Sequence, residues 1–182
     1  MTVDQIAAAA DVGRMTVFNH FPRKEDMFFD RDEEGREILC EALRHRDPRI
    51  APIETLRLLA HRLVAEQSPI VEFSARSQGF IETIEGSETL KARARARARA
   101  IRDEIAQVVA VALSESAGRE PTDPVAHLAA GLLLATWTVA LIQAHRTFRK
   151  RRGTKKAKAI FLAIVDQGTK GIKAAMAGTP YA

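Results

Sequence analysis

The 182-residue chain has one cysteine, one tryptophan and one tyrosine. Cys40 alone cannot build a disulfide framework within the chain, and this usage fits a reducing cytoplasm. The opening residues, TVDQIAAAADVG from Thr2 to Gly13, hold two acids and no apolar core, so they are not a secretory signal. No run of Val, Ile, Thr and Tyr alternates as a strand would, which argues against a sheet. No unit of about 20 to 50 residues repeats, which excludes a solenoid. His20, His45, His61, His127 and His145 are scattered, without an HExxH pair. There is no GxSxG, no P-loop and no GxGxxG. Neither an enzyme nor a metal or cofactor site is expected.

What is present is helix-forming sequence. Ala, Leu, Arg, Lys and Glu dominate, and 46% of residues are hydrophobic, enough to bury a core. Breaks fall at 47–52, 67–70, 85–88, 118–124, 151–154 and 177–180. Between them the sequence predicts helices over about 24–46, 53–66, 70–84, 88–117, 124–150 and 155–176, with two short ones at 3–9 and 14–20. The fold class is all-α. Charge divides unevenly: residues 1–46 hold seven Lys/Arg against ten Asp/Glu, a net of −3, and residues 47–182 hold 21 against 13, a net of +8. A nucleic-acid site in the acidic segment must be local.

Arginine and alanine alternate strictly from Ala92 to Ala100. As a strand this would set arginines on one face and alanines on the other, and both are poor strand residues. As a helix it places Leu90, Ala94, Ala98, Ile101, Ile105, Val108 and Ala112 on one stripe, with arginines at both edges. Their stems can lie along the stripe while the guanidinium groups reach water. A nucleic-acid- or lipid-binding strip is the sharper alternative, but no interleaved aromatics support it.

Residues 2 to 29 are more informative. Thr2 and Gln5 form a capping box for the first short helix. Asp11-Val12-Gly13 reads as a tight turn before a second helix from Arg14 to His20. Two short helices joined this way form a helix-turn-helix. Val12, Val17 and Phe21 can face inward. Arg14, Met15, Thr16, Phe18, Asn19 and His20 are then left for the outer and flanking faces. Arg and Asn there are suited to guanine and adenine edges in a major groove. Lys24 falls in the first turn of the next helix, where free N–H groups favour a phosphate.

Ile6-Ala7, Asp11-Val12-Gly13, Thr16-Val17-Phe18-Asn19-His20-Phe21 and Lys24-Glu25-Asp26-Met27 resemble the DNA-binding module of the tetracycline-repressor-like (TetR) family of bacterial regulators. The resemblance covers about 28 residues without a gap. It implies a helix-turn-helix followed by a helical ligand-binding and dimerisation domain, with boundaries at 1–46 and 47–182. It implies a dimer on double-stranded operator DNA and a small effector in the C-terminal helices. By position, Thr16, Phe18, His20 and Lys24 fall where the family contacts phosphate, and Arg14, Met15 and Asn19 where it reads bases. Phe18 lacks the phenol common there. The family carries a further helix before the position of Thr2, so the resemblance implies a covering helix upstream and a helix-turn-helix truncated in this sequence.

The later helices suit the same scheme. Val125 to Ile142 is almost wholly apolar, and Ile160, Phe161, Ile164, Val165, Gly168, Ile172 and Met176 form a stripe. The first run reaches the lower length limit of a membrane span, but its alanines, His127 and threonines suit a buried helix better. Two antiparallel helices near 124–150 and 155–176, doubled by a two-fold axis, make a four-helix homodimer interface. The eight Lys/Arg between His145 and Lys158 read as a solvated turn. Candidate pocket residues are His61, Phe73, Gln78, Phe80, Glu82, His127 and Trp137, and the apolar setting favours a hydrophobic effector. The reading is a cytoplasmic, ligand-responsive transcriptional repressor that binds operator DNA as a dimer. The alternative is a helical effector-binding or interaction protein without DNA binding.

Overall fold

In the computed structural model, residues 7–8, 11–13, 15–16, 32–74, 86, 88–151 and 153–182 are described. The protein is all-helical, and no strand occurs among the described residues. It divides into two compact units, Met1–Glu34 and Gly35–Ala182. The sequence-based division at 46/47 assigned all of the connecting helix to the first.

The second unit holds α1 (Asp32–Arg44) from Gly35 onward, α2 (Pro52–Ala65), a 3-10 turn (Pro69–Val71), α3 (Glu88–Ser116), α4 (Pro124–Arg151) and α5 (Thr154–Ala175). Helix α1 buries Leu39, Cys40 and Leu43, one side of a helix by spacing. Arg46 then ties the following turn: its guanidinium donates to the carbonyls of Ile50 at 2.9 Å and of Ser116 at the end of α3. Pro52 starts α2 at a position where its missing N–H costs nothing. Ile53, Leu56, Leu59, Ala60 and Leu63 form the buried side of α2.

The segment expected to be helical from residue 70 begins otherwise. Ser68 caps the 3-10 turn by accepting from the Ile70 N–H. Glu72 is extended, at φ −78° and ψ 126°. Val71 and Phe73 are buried while Glu72 between them is half-buried. Burying alternate residues requires extended backbone, whereas a helix would turn one of this pair away. Residues 75–85 lie outside the described set.

Helix α3 includes the whole arginine-alanine tract, so the helical reading of that tract is correct. The buried side downstream of it is Val109, Ala110, Ala112 and Leu113, with Ile105 and Val108 half-buried. The expected stripe through Val108 is therefore turned by about one residue. Side chains at 93–102 lie outside the described set. Gly118 ends α3 at φ 64°. Its N–H bonds the Glu115 carbonyl at 3.0 Å and the Arg119 N–H bonds the Ser114 carbonyl at 2.8 Å, a Schellman motif.

Asp123 caps α4, accepting from the Val125 N–H at 2.9 Å, and Pro124 fills the first helical position. The side of α4 that faces the chain's own core is rich in alanine: Ala126, Ala129, Ala130, Ala140 and Ala144 are wholly buried. Helix α4 packs on α3 and α5, and α5 packs on α2. Helix α5 buries Ala157, Phe161, Val165, Thr169 and Ile172. Ile160, expected in that stripe, is exposed. A Cβ built on Gly168 would collide with the Thr136 side chain of α4, which is itself held by a 2.9 Å bond to the Leu132 carbonyl.

The chain's last turn closes the core. Tyr181 is wholly buried, its hydroxyl donates to Asp123 Oδ2 at 2.7 Å, and its carbonyl accepts from the Ile53 N–H at 3.3 Å. The second bond satisfies a free donor at the start of α2, whose N-cap Ala51 has no side chain to do so.

Two stability predictions follow from these contacts. Gly168→Ala should cost about 1–3 kcal/mol by overpacking, despite a helix-propensity gain of about 1 kcal/mol. Thr136→Ala in the same chain should cancel the cost, as read by urea denaturation. Tyr181→Phe should cost about 1 kcal/mol at neutral pH. The Tyr181 hydroxyl, then the Val125 N–H and Arg119, hold the Asp123 carboxyl below its ordinary range. A lowered folded-state pKa contributes stability above the unfolded value, and this is lost as pH falls through the folded one. The Phe variant should therefore lose less of its melting temperature than wild type on acidification below about pH 4.

Candidate functional site

The N-terminal unit places its turn where the sequence does. Ala7 and Ala8 are helical, as are Met15 and Thr16. Asp11 adopts φ 53°. Its N–H bonds the Ala8 carbonyl at 3.3 Å, and the Val12 N–H bonds the Ala7 carbonyl at 3.0 Å. This is again a Schellman motif, with aspartate in the left-handed position that glycine usually fills. Val12, expected to face inward, is 42% exposed, since it lies beyond the helix end. Met15 is 69% exposed and Thr16 is exposed, in keeping with an outward face. Arg14, Phe18, Asn19, His20 and Lys24 lie outside the described residues, as do the pocket candidates Gln78, Phe80 and Glu82.

The four described pocket candidates separate into three places. On α2, His61 Nε2 lies 2.8 Å from Asp166 Oδ1 of α5. Arg57 joins the same carboxylate at 3.0 Å and Glu54 at 2.7 Å, and Lys173 approaches Glu54 at 3.6 Å. Burial pushes the Asp166 carboxyl up, but bonds from His61 and Arg57 outweigh it and hold it below its ordinary range. Glu54 is held low chiefly by its bond from Arg57. This is a half-exposed polar seam joining α2 to α5. His127 sits elsewhere, with Nε2 3.3 Å from the Pro121 carbonyl near the start of α4.

Phe73 and Trp137 do come together, through Phe161. The Trp137 and Phe161 ring centres are 6.0 Å apart at 86°, and those of Phe73 and Phe161 are 6.0 Å apart at 51°. On its other side Phe73 meets His145 edge-on, at 5.0 Å and 69°. Trp137 Nε1 and His145 Nδ1 are buried without a hydrogen-bond partner. Burial lowers the His145 pKa, so its imidazole is neutral at physiological pH. In sequence, His145 stands at the head of the basic cluster that follows it. Its spacing of eight residues from Trp137 was the available signal.

Two clefts open on the second unit. One, of about 580 Å³, runs between α1 and α2 and is lined by Ile38, Ala42, Arg46, Ile50 and Leu58 among others. The other, of about 400 Å³, has Phe73 in its wall, beside Val71, Glu72, Ser74, Thr154 and Lys158.

Residues 1–30 match the family model described as bacterial regulatory proteins, tetR family. No curated protein and no solved structure matches the chain. The matched residues include the whole turn built on Asp11 and the exposed Met15-Thr16 pair, so the N-terminal segment is similar to the DNA-binding helix-turn-helix of that family.

Proposed function

We propose that the protein is a cytoplasmic, ligand-responsive repressor that binds operator DNA as a homodimer. The observation that carries this reading is the family match over residues 1–30. Arg14, Met15 and Asn19 read bases, while Thr16, Phe18, His20 and Lys24 hold the phosphate backbone. Effector binding in the helical domain is coupled to the separation of the two recognition helices. The covalent connection between reader and sensor runs through α1.

The surface of α4 supports the dimer. Leu128, Leu132, Val139 and Ile142 are exposed at spacings of three, four and seven residues, and Ile160 is exposed on the adjoining α5. Such an apolar face is unusual on a monomer and suits a four-helix bundle about a two-fold axis. Helix α4 has the length and hydropathy of a membrane span. Its alanine side is nevertheless buried against the chain's own helices, which favours a protein partner on the other side over lipid all round.

The experiment that tests the reading is gel retardation of the DNA directly upstream of the protein's own gene. A retarded complex displaced by unlabelled specific DNA is expected, and no complex at any protein concentration would contradict it. Asn19→Ala should relax sequence preference, whereas Lys24→Ala should weaken all sites alike and lower the salt slope by about 1. In sedimentation equilibrium the wild type should have twice the 20.1 kDa chain mass. Leu132→Asp with Val139→Asp should give the monomer mass with helical content unchanged. A monomeric wild type would sink the dimer proposal.

A further inference from the structure

A buried polar atom without a partner costs about 1–3 kcal/mol, and folded proteins hold few of them. The other buried hydroxyls of this core show the usual solution. Ser114 donates to the Ala110 carbonyl at 3.0 Å, and Tyr181 donates to Asp123. Trp137 Nε1 and His145 Nδ1 are the two exceptions among the described residues. They are not scattered. Both lie on α4; Trp137 meets Phe161, His145 meets Phe73, and Phe73 and Phe161 meet one another. Trp137 is only 8% exposed, so bulk water does not satisfy its N–H. Two unpartnered polar atoms thus border one aromatic cluster.

We propose that this frame is the effector site, that Phe73 is its gate, and that it selects neutral planar aromatic molecules carrying a hydroxyl oxygen. The inference rests on the ligand-responsive reading above and deepens it. Phe73 touches His145 and Phe161 and also lines the 400 Å³ cleft, which neither Trp137 nor His145 lines; rotation of the Phe73 ring is the proposed way in from that cleft. The segment can give way more readily than a helix. Phe73 follows a 3-10 turn and extended Glu72, and its carbonyl is held by the Thr154 hydroxyl at 3.1 Å.

The chemistry of the guest comes from the atoms it must satisfy. An indole N–H only donates, so it needs an oxygen acceptor. A neutral imidazole nitrogen donates or accepts according to its tautomer, and a hydroxyl serves in both cases. The ring faces, set at steep angles to one another, suit a flat ring in offset or edge-on contact. Charge is disfavoured. The frame itself carries none, and at the cleft Lys158 is offset by Glu72.

The sole tryptophan makes the test specific, because the indole N–H gives one signal in a ¹⁵N–¹H spectrum. The full-length protein is titrated with 2-naphthol, naphthalene and 2-naphthoate, by calorimetry and by that spectrum. 2-Naphthol should bind at least tenfold more tightly than either of the others, and the indole proton should move downfield as it binds. Trp137→Phe should bring 2-naphthol to the affinity of naphthalene. If that variant does not fold, the indole shift in the wild type decides. Equal affinities, no binding of 2-naphthol, or binding that leaves the indole signal in place would each overturn the proposal. Gel retardation on the same preparation keeps the two readings apart. Retained DNA binding with no naphthol selectivity removes the site alone, and absent DNA binding removes the regulator while the titration still decides the site.

Discussion

The structure of the second unit depends on how closely α4 can approach its neighbours. Alanine makes this possible. Ala126, Ala129, Ala130, Ala140 and Ala144 are wholly buried on one side of the helix. Alanine loses no side-chain rotamers on burial and has the highest helix propensity. It also buries little apolar surface, so the larger groups between the alanines fill the remaining space. Leu133, Trp137 and Phe148 of α4 meet Phe161 and Val165 of α5 in one core. At Gly168 the approach leaves no room for a methyl group beside Thr136.

The same constraint shapes the outside. The alanine side of α4 is covered within the chain, and Leu128, Leu132, Val139 and Ile142 are left outward. Polar contacts elsewhere follow the solvent. The ion pairs of Arg57, Glu54, Asp166 and Lys173 lie along a half-exposed seam, where water tempers both their attraction and their desolvation. In the dry interior the polar groups are few, and half-buried Asp123 gathers several at its edge. It caps α4, accepts from Tyr181 and meets Arg119, so one carboxylate joins a helix start to the chain's C-terminal turn.

Much of this architecture was legible. Helices α2, α3, α4 and α5 begin and end within about two residues of where breaks and periodicity set them, because Pro, Gly and Asp at the boundaries act locally. The arginine-alanine tract is helical for a reason visible in its composition. Where the reading failed, a distant contact decided. Phe73 is drawn into the core against Phe161 and His145, and the chain stays extended to bring it there. The buried side of α3 is centred on Val109 and Leu113, although Val108 is equally apolar, because rotation about a helix axis is set by the neighbour. Val12 is exposed because the Asp11 turn, a matter of one dihedral angle, carries it past the helix end.

The sequence by itself determined the helical class, most helix boundaries and the family signature of the first 30 residues, all of which rest on interactions within a few positions of one another. Only the tertiary structure decided which of these residues come together. It separated His61 and His127 from Trp137, joined Trp137 to Phe73, and brought in His145. It also showed two polar atoms enclosed without partners, which no local pattern encodes. Burial and partnership belong to pairs of segments far apart in the chain, and they exist only once those segments are packed.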